Sequence, residues 1–253
     1  MMSPDKPIKI ALSRLPGTVS SEVIGQQQSA SPENQSLLSH LPDHLVTSLF
    51  SRATTVRLKT EEELFLAGDI GDGCYRVDDG LLKVTMMSRA GNERILAFLG
   101  PGAIVGEMSV IDRLPRSANV VAVRPAVLSF LSSADFVDFA KKNPQVYECL
   151  VVLLIARLRE TDTTIAAGTF LPLRGRVACT LLELAQEFGQ DVGSGRIVIH
   201  QKIGQTDLAA MAGIARESLN RILNDWKRRK LVSELAGYYC IENKAVLQKE
   251  AEL

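Results

Sequence analysis

Residues 56–130 break their hydrophobic pattern every few positions with a turn signal, and that texture excludes a long helix there. Short β-prone runs at 64–66, 80–87, 95–99, 119–123 and 127–131 are separated by Gly68-Asp69, Gly71-Asp72-Gly73, Asp79-Gly80, Ala90-Gly91-Asn92 and Gly100-Pro101-Gly102. Strands this close together, punctuated by Gly and Asp, argue for an antiparallel sandwich or β-roll.

The chain then changes character. After Asn143-Pro144, Tyr147, Leu150, Leu154, Leu158, Thr161 and Ile165 step by three and four, so one helix of more than five turns carries a single stripe. Such a seam can bury itself on its own β-domain or on a twin helix. Its narrow, heptad-like width favours the twin. Upstream, residues 36–52 suit short amphipathic helices, and residues 1–35, rich in Ser, Gln and Pro, are expected to form a mobile tail. Downstream come an amphipathic helix at 174–188, a short strand at 196–200, two short helices and a hairpin bridged by Ala236-Gly237.

Composition narrows the classes. The 253 residues carry 29 Lys+Arg and 29 Asp+Glu, so a globally basic coat is excluded while a local basic patch is not. Four scattered cysteines and three histidines, with no CxxC, make a metal site an unfavoured reading; buried, reduced thiols are expected. The longest apolar run, residues 149–156, is far short of the roughly 20 needed to span a bilayer. Residues 1–15 contain no secretory apolar segment, so a soluble, cytoplasmic protein without membrane partners is expected.

Two constellations carry chemistry. The first is Gly106-Glu107-Met108-Ser109 followed by Pro115-Arg116-Ser117-Ala118. A cyclic phosphate held in a β-roll needs a guanidinium and backbone N–H donors to replace its hydration. Arg116, the Ser117 hydroxyl and amides at a short helix opening at Gly106–Glu107 supply that set, and Glu107 can accept from a ribose 2′-OH. The plainer reading is an ordinary Glu107–Arg116 ion pair across a surface turn.

The second runs from Gln205 to Asn224. Leu208, Ala209, Gly213, Ile214, Leu219 and Ile222 recur at helix-turn-helix spacing, with Thr206 placed to cap the first helix and Gly213 to allow the turn. On the second helix Arg216, Glu217 and Arg221 project within an arc of about 140°. Arginine reads guanine bidentately in the major groove, and glutamate accepts from cytosine. Between residues 196 and 230 eight cations face three acids, a local excess suited to phosphate contacts. Lys227–Lys230 fits DNA backbone or solvent better than base edges.

Residues 36–245 resemble the cyclic AMP receptor / fumarate–nitrate regulator superfamily of bacterial transcription factors, in its cyclic AMP receptor branch. The segment 68–131 is similar to the cyclic-nucleotide-binding domain, including its GE…R(S/T)A cassette, and Gly175-Arg176-Val177-Ala178 after Phe170-Leu171 is similar to the start of that family's DNA-binding domain. The resemblance implies an α+β fold: an N-terminal antiparallel, jelly-roll-like β-roll, a long central dimerisation helix, and a C-terminal winged helix-turn-helix. The expected divisions are a tail at 1–35, the nucleotide-binding roll at 36–143, the central helix at 144–168 and the DNA-binding domain at 169–253.

It also implies ligand contacts from Gly106, Glu107, Met108, Arg116 and Ser117, with Thr161 and Asp162 touching the purine from the same and the partner chain. Thr206, Arg216, Glu217, Asn220 and Arg221 are the implied DNA contacts, on a palindromic TGTGA-like operator. The implied ligand is cyclic AMP, acting allosterically on a homodimer that engages double-stranded DNA and RNA polymerase, with no metal.

Three departures stand out. Asp162 replaces a hydroxyl residue; a carboxylate there matches the N1–H and amino group of guanine, which adds cyclic GMP as a candidate, or else it simply faces water. Ala215 replaces the polar cap of the recognition helix, and Pro172 occupies the hinge. The competing reading is a regulator of the same fold that senses redox state, a gas or another effector, or needs none. Against it stand the absence of an N-terminal cysteine cluster and the presence of both Glu107 and Arg116. No nucleophile–base pair or P-loop argues for an enzyme.

Overall fold

The computed structural model describes residues 43–252. The expected tail at 1–35, and residues 36–42 of the amphipathic stretch after it, lie outside the described residues. Within that stretch α1 (Asp43–Leu49) and a 3-10 turn (Phe50–Arg52) form.

Two long strands organise the N-terminal sheet. β3 (Gly73–Met87) pairs antiparallel with β6 (Asn119–Ser132), from Gly73 opposite Ser132 to Thr85 opposite Asn119. On the outer side of β6 lie β1 (Thr54–Leu58) and β2 (Glu63–Phe65); β3 also pairs with β4 (Glu93–Leu99) and β5 (Ile104–Val105), completing a six-stranded sheet. β5 leads into a short helix, α2 (Glu107–Asp112).

Two sequence expectations are corrected here. Asp79-Gly80 is not a turn between strands: β3 runs straight through it, and the 119–123 and 127–131 runs are one strand through Arg124-Pro125. The ladder slips between Val77 and Asp79, between Asp79 and Leu81, and between Leu81 and Leu82. Gly80 takes φ 102°, and Arg124 Nη2 donates to its carbonyl at 3.2 Å. A bulge and a turn both select glycine and tolerate proline, so composition does not separate them. These slips bend the sheet until Leu58, Val77, Leu82, Val105, Val120, Ala122, Ala126 and Leu128 meet in one buried cluster.

The helices α3 (Ser133–Lys142) and α4 (Gln145–Phe170) come directly after β6. Ser132 caps α3, its hydroxyl accepting from Asp135 N at 3.1 Å. Val146, Cys149, Leu150 and Leu153 of α4 bury against α1 and α3 and against Cys74, Ile104 and Leu131. The expected single stripe is therefore two faces. Leu150 looks into its own domain, while Tyr147, Val151, Ile155, Leu158 and Ile165 are exposed on a line that also contains Asp162.

The C-terminal unit consists of α5 (Leu173–Phe188), β7 (Gly189–Asp191), β8 (Ile197–Ile199), α6 (Gln205–Ala212), α7 (Arg216–Arg228), β9 (Val232–Leu235), β10 (Tyr238–Ile241) and α8 (Lys244–Glu250). Its four strands lie in the order β7-β8-β10-β9. Ala236 and Gly237 both have positive φ, 53° and 88°, as a two-residue hairpin turn whose twist suits its strands requires. Leu181, Leu208, Leu219, Trp226 and Ile241 form its core, and Leu81, Ile95 and Phe98 from the β3–β4 hairpin are part of that same cluster. Beside it Lys83 bridges Glu93 at 3.1 Å and Asp207 at 3.5 Å.

A β-carbon at Gly80 would sit 2.5 Å from Ala126 Cα as well as forcing a left-handed backbone on an L residue. Gly80→Ala should therefore destabilise the protein by about 2 kcal/mol in urea unfolding; an unchanged midpoint would remove the bulge from its structural role.

Candidate functional site

The cassette between β5 and β6 is built around a buried guanidinium. Arg116 is 4% exposed; its Nη1 donates to the Gly106 carbonyl at 2.7 Å and its Nη2 reaches Asp72 Oδ1 at 3.2 Å. Its Cζ lies 4.3 Å from the Phe65 ring centroid, and Tyr75 stands further out at 6.0 Å. Stacking on an aromatic face replaces part of the lost hydration while leaving in-plane N–H groups available. Only a glycine fits at position 106: it takes φ 84° before α2, and a β-carbon there would collide with Arg116 Nη1. Gly71 is confined by α2 instead: a β-carbon there would collide with Ser109 Cβ, while Arg116 Cζ would lie at an ordinary contact distance of 3.4 Å.

Glu107 is 1% exposed and pairs not with Arg116 but with Arg157 of α4, whose Nη1 donates to Glu107 Oε1 and whose Nη2 donates to the Ile104 carbonyl at 2.8 Å. The surface Glu107–Arg116 pair considered from the sequence is thus not formed. Arg157 carries no signal of this role in the sequence, because it lies fifty residues from its partner, inside a run whose local pattern speaks only of helix. Around this centre Met108 is half exposed, and the exposed Ser117 hydroxyl lies 3.9 Å from the Met108 sulfur. Thr161 and Asp162 are exposed on α4; the Thr161 hydroxyl donates back to the Arg157 carbonyl at 2.8 Å.

In the C-terminal unit α6 and α7 meet at Gly213, which takes φ 63°. Arg176 of α5 grips this turn from outside, its Nε donating to the Ala212 carbonyl at 3.1 Å. Leu219, Ile222, Leu223 and Trp226 face inward on α7, so Arg216, Glu217 and Arg221 point to solvent and Asn220 is half-buried. Arg221 Nη2 donates to Ser218 Oγ at 3.1 Å. Thr206 is corrected as a cap: Gly204 is the N-cap of α6, and Thr206 stands exposed in its first turn. Ala215 caps α7 with no side-chain bond. Among the described residues no group of three or more His, Cys, Asp or Glu side chains is arranged for a metal, and no helix is long and apolar enough to cross a membrane.

These two arrangements coincide with two family matches. The cyclic nucleotide-binding domain family matches residues 55–143, and the Crp-like helix-turn-helix domain family matches residues 175–250. The chain is 35% identical to the cyclic AMP receptor protein of Thermus thermophilus over 188 residues, spanning 74% of this chain and 83% of that relative. The chain belongs to the cyclic AMP receptor / fumarate–nitrate regulator family of transcription regulators.

Two solved structures support the fold alone. FixK2 from Bradyrhizobium japonicum superposes with a TM-score of 0.71 at 18% identity, covering 79% of this chain and 98% of that one. The c-di-GMP responsive regulator CLP from Xanthomonas campestris superposes at 0.69 and 20% identity, covering 80% and 100%. In a family built on a sensor roll and a helix-turn-helix, the Glu107–Arg157 pair is where the roll and the central helix exchange charge. Removing Arg157 would strand a buried carboxylate. Arg157→Ala should cost about 2–3 kcal/mol in chemical denaturation, allowing for the arginine's partial exposure. Adding Glu107→Gln should recover most of that loss, and a double variant no better than the single would refute the pairing.

Proposed function

We propose that the protein is a cyclic-nucleotide-gated homodimer that binds a palindromic, TGTGA-like operator. The observation that carries the reading is Arg116: a guanidinium 4% exposed, stacked on Phe65, whose one carboxylate partner among the described residues is the largely exposed Asp72. A buried cation held so lightly is poised for an anion that can deliver two or three charge-assisted bonds, as a cyclic phosphate does. Gly106, Met108 and Ser117 would frame that phosphate. Glu107 would take the ribose hydroxyl while sharing its carboxylate with Arg157 or exchanging that partner.

On this reading residues 36–143 sense the nucleotide, 144–168 carry the dimer seam and 169–253 bind DNA. The exposed line Tyr147, Val151, Ile155, Leu158 and Ile165 supplies the seam, and Thr161 and Asp162 on the same stretch would meet the purine from the two chains. The name of the Thermus thermophilus relative supports cyclic AMP as the ligand; the Asp162 carboxylate favours cyclic GMP as a second candidate. Ligand binding would shift the helix pair between two packings through the Glu107–Arg157 link and reorient the two recognition helices onto successive major grooves, about 34 Å apart. Arg216, Glu217 and Arg221 would read bases, with Thr206 and Asn220 beside them. The work would be done in the cytoplasm with RNA polymerase as the downstream partner.

A second reading, a different effector in the same roll, is favoured by one observation: Glu107 is already satisfied by Arg157. A thiol-based redox signal fits poorly. Burial pushes the Cys74 thiol up to about 12, with the Glu107 charge adding to the effect, and burial also raises Cys149, Cys179 and Cys240. None of the four would be a thiolate at neutral pH.

Calorimetry against cyclic AMP and cyclic GMP separates the two readings. Arg116→Ala should weaken nucleotide binding at least a hundredfold; unchanged affinity would move the ligand elsewhere. On DNA, Arg216→Ala should lose about 1–3 kcal/mol of discrimination between operator and scrambled sequence. Undiminished discrimination in a gel-shift assay would remove this helix from base readout.

A further inference from the structure

Behind the nucleotide cassette lies a cavity of about 620 Å³ between α2, the loop after it and α3. Val110, Val137, Ile70 and Leu114 line it together with Arg113 and Lys141. Ile70 and Leu114 are 91% and 61% exposed, leaving aliphatic surface that a body bound in the cavity would cover. Arg113 and Lys141 form no ion pair among the described residues. Asp138, which also lines the cavity, pairs with Lys142 at 2.8 Å, and its carboxyl is also held down by the nearby Lys141 charge. Arg113 and Lys141 against Asp138 leave the lining with one excess positive charge beside the Val110, Val137, Ile70 and Leu114 side chains, which suits an aliphatic body carrying a single carboxylate.

The cavity shares a wall with the nucleotide cassette. Gly71 and Ser109 line it, and the β-carbon that Gly71 lacks would fall 3.0 Å from Ser109 Oγ and 3.4 Å from Arg116 Cζ. A body wedged against α2 on this side therefore presses on the seat of Arg116 on the other. We propose that this cavity is a second effector site, for a small aliphatic carboxylate, whose occupancy moves Arg116. The regulatory consequence rests on the nucleotide reading above; the site does not.

The test tracks the methyl resonances of Ile70, Val110, Leu114 and Val137 and the Nε–H resonance of Arg116 in the full-length protein, without nucleotide. Sodium octanoate is added below its micellar concentration, with 1-octanol as the neutral control. Saturable methyl shifts with octanoate are expected, accompanied by a shift of Arg116. In the double variant Arg113→Asn, Lys141→Gln the affinity should fall at least tenfold with the thermal midpoint unchanged. Asparagine is chosen because Arg113 sits at φ 60°, a region asparagine tolerates. In Arg116→Gln the methyl shifts should persist.

Equal responses to octanol and octanoate, a double variant that binds as well as the parent, or methyl shifts lost in Arg116→Gln would each overturn the site. A stationary Arg116 signal at saturation would overturn the coupling. A protein that binds no cyclic nucleotide would defeat the earlier reading without touching this one.

Discussion

A charged guanidinium taken almost wholly out of water is the constraint around which the N-terminal half is arranged. Burying an arginine is tolerable only if its hydration is replaced group by group. Here the replacement comes from a backbone carbonyl at Gly106, an aromatic face at Phe65 and an outer carboxylate at Asp72. Each of these fixes something else. The Gly106 carbonyl is presented by a left-handed residue that only glycine adopts at ease, and that residue starts α2. Phe65 belongs to β2, which is placed by its pairing with β6. The cassette is thus a consequence of satisfying one side chain.

The second buried ion, Glu107, works the other way. Its partner arrives from α4, so the helix cannot slide or rotate relative to the roll without breaking that bond or dragging it. The inner face of α4 anchors through Val146, Cys149, Leu150 and Leu153, and the outer face presents an apolar line to solvent. One helix therefore reports on both sides of itself: its own sensor through Arg157, and whatever packs on the Tyr147–Ile165 line.

Much of this is legible in the sequence, and the failures have physical causes. The antiparallel β-region, the long helix and the α6–Gly213–α7 pair each leave a local signature of period or turn chemistry. Glycine at position 80 marks a bulge with the same residue that marks a turn, so β3 reads as a shorter run beginning at 80, and Arg124-Pro125 makes β6 read as two. Leu150 falls into the wrong stripe because apolar residues populate both faces of α4 and spacing alone does not assign them. At the candidate site Glu107 and Arg116 stand out by composition. Their partners do not: Asp72 and Arg157 are distant in the chain, and a pairing across 44 or 50 residues has no local trace. Thr206 resembles a cap because threonine suits that role, yet Gly204 already supplies the extended backbone from which α6 starts.

The C-terminal unit does not own the whole of its core. Leu81, Ile95 and Phe98, all from the β3–β4 hairpin, complete the cluster around Trp226 and Leu219, and Lys83 adds a polar tie to Asp207. The reader of DNA is consequently not a portable module. Severed from the sensor, it would carry an unsealed aliphatic window next to the turn that positions its recognition helix, and grafting it onto a foreign sensor would require a hairpin of matching shape to travel with it.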